Sequence, residues 1–405
     1  MNELVISEMK RVLELQKKKH IEEGPPSLEL RKDRLDRSIS MVKKYQDEII
    51  SALQDDFGNR DPVMSSATEV MSSIGPLENA KKNLAKWMKP EKRKLGGPMP
   101  GAGLLLSALG AKAKIEYQPK GTVGCISPWN FPVNLVMAPL GGILAAGNRV
   151  MIKPSEISSS TSDVIKTMFE EYFDEAEIAV FVGDPEVGAA FSSLPFDHLI
   201  FTGGTSIAKH VMKSASDNLV PLTLELGGKS PVIVGDDVEM SDVAQRVMQG
   251  KTMNAGQICL APDYALVPKE KVDDFVKESI NSVTSMYPEM KDNDDYTSII
   301  NQNHFERIQS YLDDAKSKGA ELVEINPNNE DFSQQPHHKI PPTLVLNPTE
   351  DMKIMQEEIF GPVLPVKPYE DLSETVEYVN SKERPLGLYY FGKDKKDQHY
   401  VLSNT

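Results

Sequence analysis

From Leu35 the apolar positions fall at Leu35, Ile39, Val42, Ile49, Ile50 and Leu53, a 3.6-residue stripe that predicts an amphipathic helix with Gly58 just past its end. A second helical pattern runs out near Trp87–Met88. KLGGPMPGAG, Lys94–Gly103, follows, and its clustered glycine and proline predict a loop. Beyond it the pattern alternates. Short β-branched runs at Thr122–Ile126, Val150–Ile152, Ile178–Val182 and His198–Phe201 are separated by helical stretches. Strand–helix repetition of this kind predicts a parallel sheet with helices on both faces. A second such block starts near Pro231–Val234 and contains Tyr264–Val267, Pro342–Leu346, Val363–Val366 and Leu388–Phe391. Two α/β domains are therefore expected, with the boundary close to ELGGKSP at Glu225–Pro231. The most apolar stretch, Phe131–Gly147, is interrupted by proline and glycine and is shorter than the roughly 20 residues of a membrane span; it reads as a buried helix.

Composition narrows the function classes. The 405 residues are 40% apolar and 26% charged, ordinary for a globular protein, and the net charge of −15 leaves no basic stripe for nucleic acid. The charged N-terminus, MNELVISEMKRVLELQKKKH, lacks the apolar core of a signal peptide, and with only two cysteines the default compartment is the reducing cytoplasm. NPNNEDFSQQPHH at Asn326–His338 reads as a polar surface loop, and no His/Cys/Asp spacing points to zinc.

NAGQICLAP, Asn254–Pro262, then raises the chemical question, because it places Cys259 between glycine, glutamine and an apolar run. A lone cysteine is either a small buried hydrophobe or a nucleophile whose proton something must remove. None of the seven histidines sits in a recognisable partner motif. Glu225, at the end of the apolar run in TLELGGKSP, is either a surface residue at a strand end or a base delivered to a ligand cleft. Asn130 in PWNFP, Pro128–Pro132, is either a turn former or an amide donor to a developing oxyanion. Lys153 and Glu156 in IKPSE suit ribose hydroxyls. FTGGTSIAK, Phe201–Lys209, puts Gly203, Gly204 and Thr205 at a strand-to-helix turn whose free N–H groups favour a pyrophosphate, although no G-x-G-x-x-G fingerprint is present.

Singly weak, these motifs are specific in their order. PWNFP, KPSE, FTGGT, ELGGKSP, NAGQICLAP and EEIFGP (Glu357–Pro362) follow one another as in the aldehyde dehydrogenase superfamily, which the chain resembles from its N-terminal helices to its last residue. APDY at Ala261–Tyr264 resembles the class 3 branch. GPPSLELRKDRLDRSI, DDFGNR, FDHLIFTGGTSIAKH, NLVPLTLELGGKSPVIV and DNDDYTSIIN are most similar to bacterial coniferyl-aldehyde dehydrogenases. The resemblance implies an α/β fold with a Rossmann-type cofactor domain (residues 1–110 and 121–228), a catalytic domain (229–405) and an oligomerisation strand (111–120, centred on Lys114–Gln118). It implies that Cys259 attacks the aldehyde carbon, that Asn130 and the Cys259 N–H hold the oxyanion, and that Glu225 is the general base. Trp129, Lys153, Glu156, Gly203, Gly204, Thr205, Glu358 and Phe360 would line the site of an NAD cofactor, with NADP as the alternative. Cys125, in GCISP, stays a core thiol.

Two departures accompany the resemblance. Ala208 stands where the superfamily's G-x-T-x-x-G turn has its last glycine, so a small adjustment at the helix start with retained binding is expected. The chain also stops at VLSNT, where relatives continue with a PFGG loop and the strand that completes the oligomerisation domain; it reads as a fragment of a homodimeric enzyme. The implied substrate is an aromatic, cinnamaldehyde-type aldehyde. Medium-chain aliphatic aldehydes, a non-catalytic nucleotide-binding module, or a cysteine hydrolase without cofactor are the other readings.

Overall fold

The computed structural model describes residues 2–96 and 99–405, and the chain divides into two compact units. The first comprises Met1–Ile49, Ser66–Thr202 and Lys209–Leu224; the second comprises Ile50–Ser65, Gly203–Ala208 and Glu225–Thr405.

The first unit is built around a five-stranded sheet ordered Ile178–Val180, Arg149–Lys153, Thr122–Ile126, His198–Thr202, Leu222–Glu225. Its central strand pairs in parallel with both neighbours, Cys125 lying opposite Ile152 on one side and Ile200 on the other. Strands covered on both faces read as continuous apolar runs rather than alternations, which made three of the five legible, and His198–Thr202 was legible from its apolar run Leu199–Phe201 although only alternate residues are buried. Leu222–Glu225 was not, because its residues alternate between half-buried and exposed. The apolar stretch folds as the helix Asn134–Ala145 and buries seven of its twelve residues. Gly141 faces the helix Ser72–Trp87, where an added Cβ would lie 3.2 Å from the Pro76 carbonyl, so a larger residue would push the helices apart.

The long helix expected from Leu35 to Gly58 is two helices. Leu28–Lys44 starts at Ser27, whose side chain accepts from the Leu30 N–H, and ends at Tyr45; Gln46–Phe57 follows at once. The stripe survives the break. Leu35, Val42, Ile49, Leu53 and Phe57 are all buried, because one irregular residue leaves the apolar face nearly in phase.

The second unit holds a six-stranded sheet ordered Glu321–Glu324, Thr343–Leu346, Val363–Tyr369, Tyr264–Pro268, Pro231–Val234, Tyr389–Phe391. All its pairs are parallel except the outer Glu321–Glu324 with Thr343–Leu346. That antiparallel edge strand, half exposed with glutamates at both ends, carries no apolar run to betray it.

A two-stranded antiparallel ribbon pairs Glu91–Arg93 with Ala113–Ile115. The strand expected at Lys114–Gln118 is thus shorter and shifted toward the N-terminus, because its partner offers only three residues. Within KLGGPMPGAG, Gly97 and Pro98 lie outside the described residues; Ala102–Ala108 beyond them is a helix that buries none of its residues and exposes Leu104, Leu105 and Leu106. Among the described residues no helix is long and apolar enough to cross a membrane, and no group of three or more His, Cys, Asp or Glu could hold a metal ion.

Candidate active site

In the first unit the candidate residues sit just beyond the C-terminal ends of two adjacent parallel strands, where open α/β sheets bind ligands. Asn130 follows Thr122–Ile126 in the turn before the helix Asn134–Ala145 and is 3% exposed; Trp129 beside it is half-buried. Lys153 ends the next strand. Its Nζ is buried and donates to the Pro154 carbonyl at 2.8 Å and to Glu156 Oε2 at 3.0 Å. A lysine donor beside a partly exposed carboxylate acceptor is the chemistry that a vicinal diol satisfies, each hydroxyl being both donor and acceptor.

The second unit gathers the remaining candidates. Gly203 and Gly204 precede the helix Thr205–Ser216, and the Gly203 N–H donates to the Glu225 carbonyl at 3.1 Å. Gly204 and Thr205 are exposed, with open space around Gly204, and the first N–H groups of such a helix have no intrahelical acceptor. Such N–H groups at a helix start are the donors that anions take up. Ala208, which departs from the superfamily's G-x-T-x-x-G turn, is buried inside this helix and leaves it unbroken.

Cys259 lies on a turn of unusual backbone. Asn254, Ala255 and Gly256 take φ of 48°, 50° and 72°, three consecutive left-handed residues ahead of the cysteine. Such strain persists only where surrounding structure enforces it. Here the enforcement is identifiable. The buried Gln257 amide donates to the Asn254 and Ser298 carbonyls at 2.9 and 3.0 Å, and its Oε1 accepts from the Ile300 N–H at 3.0 Å. Gly256 packs so closely on the Gly361 carbonyl that any Cβ would collide with it. Across that contact Phe360 is itself left-handed, with φ of 48°.

A buried clamp joins three of the sequence motifs. Lys229 of ELGGKSP pairs with Asp263 of CLAPDY, and its ammonium also donates to the Ile354 and Glu357 carbonyls at 2.7 and 2.9 Å. Asp263 Oδ2 accepts from the Ile359 N–H at 2.9 Å, and Arg307 donates to the Ile359 carbonyl at 2.8 Å. The segment Glu357–Gly361 is thereby held from both sides. The motif strings contained Lys229 and Asp263 but gave no sign that they pair, and nothing in the sequence marked Arg307.

Electrostatics ties Cys259, Glu358 and Glu225 together. Burial, followed by the nearby charges of Glu358 and Glu225, pushes the Cys259 thiol up, while the backbone N–H groups of Cys259 and Leu260 favour its thiolate. Burial raises Glu358 to about 7 despite the Gly228 N–H that it accepts from. Its carboxylate occupies the space in which a Cβ on Gly227 would stand, which is why the first glycine of ELGGKSP is required. Glu225 ends the strand Leu222–Glu225 and is exposed. Lys251, 1% exposed and missed in the sequence, is lowered to about 8 by its burial, within the fields of Asp263, Lys229 and Glu358.

Comparison with known proteins follows the same lines. A family model described as the aldehyde dehydrogenase family matches residues 17–405. The probable coniferyl aldehyde dehydrogenase of Caulobacter vibrioides is 57% identical over 397 residues, spanning 98% of this chain and 81% of that protein. The coniferyl aldehyde dehydrogenase of a Pseudomonas species is 51% identical, spanning 97% of this chain and 79% of that protein. Among solved structures, the substrate-bound state of Staphylococcus aureus AldH superposes with a TM-score of 0.88 at 34% identity, covering 97% of this chain and 82% of its own.

Proposed function

The chain belongs to the aldehyde dehydrogenase family, and we propose that it oxidises an aromatic, coniferyl- or cinnamyl-type aldehyde to its carboxylic acid with NAD as the hydride acceptor. The reading rests above all on Cys259, presented on a strained turn with two backbone N–H groups at its sulfur and two carboxylates within electrostatic reach. Identities of 57% and 51% to proteins named for coniferyl aldehyde support the substrate class.

In the proposed cycle the Cys259 sulfur, as the thiolate with its proton released to solvent, attacks the aldehyde carbon to give a thiohemiacetal. The oxyanion accepts hydrogen bonds from the Cys259 N–H and from the Asn130 amide. A nicotinamide cofactor, when bound, would supply the acceptor for the hydride that leaves the former aldehyde carbon, leaving a thioester on Cys259. Glu225 then takes a proton from water as that water attacks the thioester carbonyl, so the acid departs and the sulfur is regenerated. Lys153 and Glu156 would hold the adenosine ribose, the Gly203–Thr205 turn the pyrophosphate, and Glu358 the nicotinamide ribose, with Trp129 and Phe360 alongside. A carboxylate at Glu156 disfavours a 2′-phosphate, which supports NAD over NADP.

Self-association belongs to the same proposal. The ribbon Glu91–Arg93/Ala113–Ile115 and the exposed Leu104, Leu105 and Leu109 form the surface we assign to a homodimer, since apolar side chains so exposed invite a partner.

Reduced-cofactor formation with coniferaldehyde and with hexanal, each with NAD and NADP, tests the assignment, with Cys259→Ser as control. Turnover of coniferaldehyde that needs NAD and disappears in the variant is the expected result. Preference for hexanal would replace the aromatic assignment, and absence of turnover with NAD still bound would favour a nucleotide-binding module.

A further inference from the structure

The helix Asn134–Ala145 begins badly by local standards. Its N-cap is Val133, which has no side-chain acceptor, and Pro132 before it has no N–H. The missing acceptor arrives from far away in the chain. Glu69, fully buried on the π-helical turn Ser66–Met71, directs Oε2 at this helix start and accepts from the Val133 N–H at 3.1 Å and the Asn134 N–H at 2.9 Å. Ser72, one turn on, accepts from the Asn134 side-chain amide at 2.7 Å. The helix Ser72–Trp87 that continues this segment also meets Asn134–Ala145 at the close Gly141–Pro76 approach.

A serine at position 133 would cap the helix without burying a charge, which is costly unless fully hydrogen-bonded. A distant glutamate does something a local cap cannot: it ties the turn to a second helix. That turn is PWNFP, and Asn130 lies three residues before the first N–H that Glu69 accepts from. The Leu135 N–H, donating to the Phe131 carbonyl at 2.9 Å, continues the same turn back toward Asn130. A π-helical turn, rare and commonly placed at functional sites, presents the carboxylate.

We propose that Glu69 is a positioning residue for Asn130, holding the PWNFP turn so that the Asn130 amide keeps the orientation that oxyanion stabilisation requires. This rests on the assignment of Asn130 as an oxyanion donor, and a double-mutant cycle separates the two claims. Asn130→Ala is expected to lower kcat by about 10²- to 10³-fold. Glu69→Ala is expected to lower kcat by about tenfold or more with a smaller change in the aldehyde KM, and the double variant to be no slower than Asn130→Ala alone. Glu69→Gln, which keeps an acceptor oxygen, is expected to recover most of the loss. Losses that multiply in the double variant, or an unchanged kcat in Glu69→Ala, overturn the proposal. If Asn130→Ala leaves kcat unchanged, the oxyanion assignment fails and this inference fails with it. Should Glu69→Ala not fold, Glu69→Asp, one methylene too short to reach, carries the same cycle.

Discussion

Cys125 lies in the central strand of the first unit's sheet, 2% exposed, with Ile152 and Ile200 opposite it in register. Burial, with no charged partner, pushes its thiol up to about 12. Cys259 lies on the turn after three left-handed residues of the second unit, half-buried, with two carboxylates and two backbone N–H groups acting on its sulfur. The side chains are identical. A ladder of extended backbone spends its N–H groups on neighbouring strands, whereas a strained turn leaves them free to face a side chain. The surroundings of the two thiols therefore differ in backbone conformation and in the charges that distant segments bring to them.

The sharpest way to break the comparison is to remove each sulfur in turn. Cys259→Ser is expected to lower steady-state aldehyde oxidation by about 10³-fold or more, read by absorbance of the reduced cofactor. Cys125→Ser is expected to keep turnover within about twofold. It should lower the melting temperature by about 2–6 °C, because it buries a hydroxyl in an apolar strand. Full activity in Cys259→Ser would remove the distinction altogether.

Glu225→Gln comes next. With a base lost from the hydrolytic step, steady-state turnover should fall by about 10²- to 10⁴-fold, while a burst of about one equivalent of reduced cofactor per active site survives. A proportional loss of burst and steady state would assign Glu225 to thiol activation alone.

Thiol chemistry sharpens the contrast directly. Iodoacetamide should label Cys259 and spare Cys125 in the folded protein, as peptide mapping would show. In Glu358→Gln the labelling of Cys259 should reach its plateau at lower pH, since one of the charges that opposes the thiolate is gone.

The smallest effect concerns stability. Burial holds the Glu358 carboxyl up at about 7 against its ordinary value of 4.5, so the folded state binds its proton more tightly than the unfolded chain. Its contribution is full below pH 4.5 and is lost as pH rises through 7. Lys251, lowered from 10.5 to about 8, behaves oppositely: its contribution is full above pH 10.5 and is lost as pH falls through 8. Urea unfolding across pH 4.5–7 should show that Glu358→Gln removes a decline of roughly 1–3 kcal/mol. An identical pH profile in wild type and variant would contradict the buried, partly protonated carboxylate.

Most of the framework was legible before any coordinates. Thr122–Ile126 and Pro231–Val234 were placed to the residue, because a strand covered on both faces leaves an uninterrupted apolar signature. The errors share one cause. Leu222–Glu225 and Glu321–Glu324 are edge strands with one face toward solvent, and Tyr45 breaks a helix without disturbing the apolar stripe, so the pattern carries no mark of either. Site residues were legible as motifs, not as partners. The sequence singled out ELGGKSP and APDY, yet the Lys229–Asp263 pair and the glycine space filled by Glu358 depend on segments more than thirty residues apart.

Local periodicity and motif order thus determined most of the sheet strands, the family and the identity of the candidate nucleophile, because burial of adjacent side chains repeats every two or 3.6 residues along the chain itself. The tertiary structure alone decided that Cys259 sits among Glu225, Glu358 and free N–H groups while Cys125 sits among isoleucines. It alone supplied Glu69 as a cap for a helix sixty-four residues away. Hydrogen bonds and electrostatic fields act through space, and no spacing along the chain encodes which distant groups folding will bring within their reach.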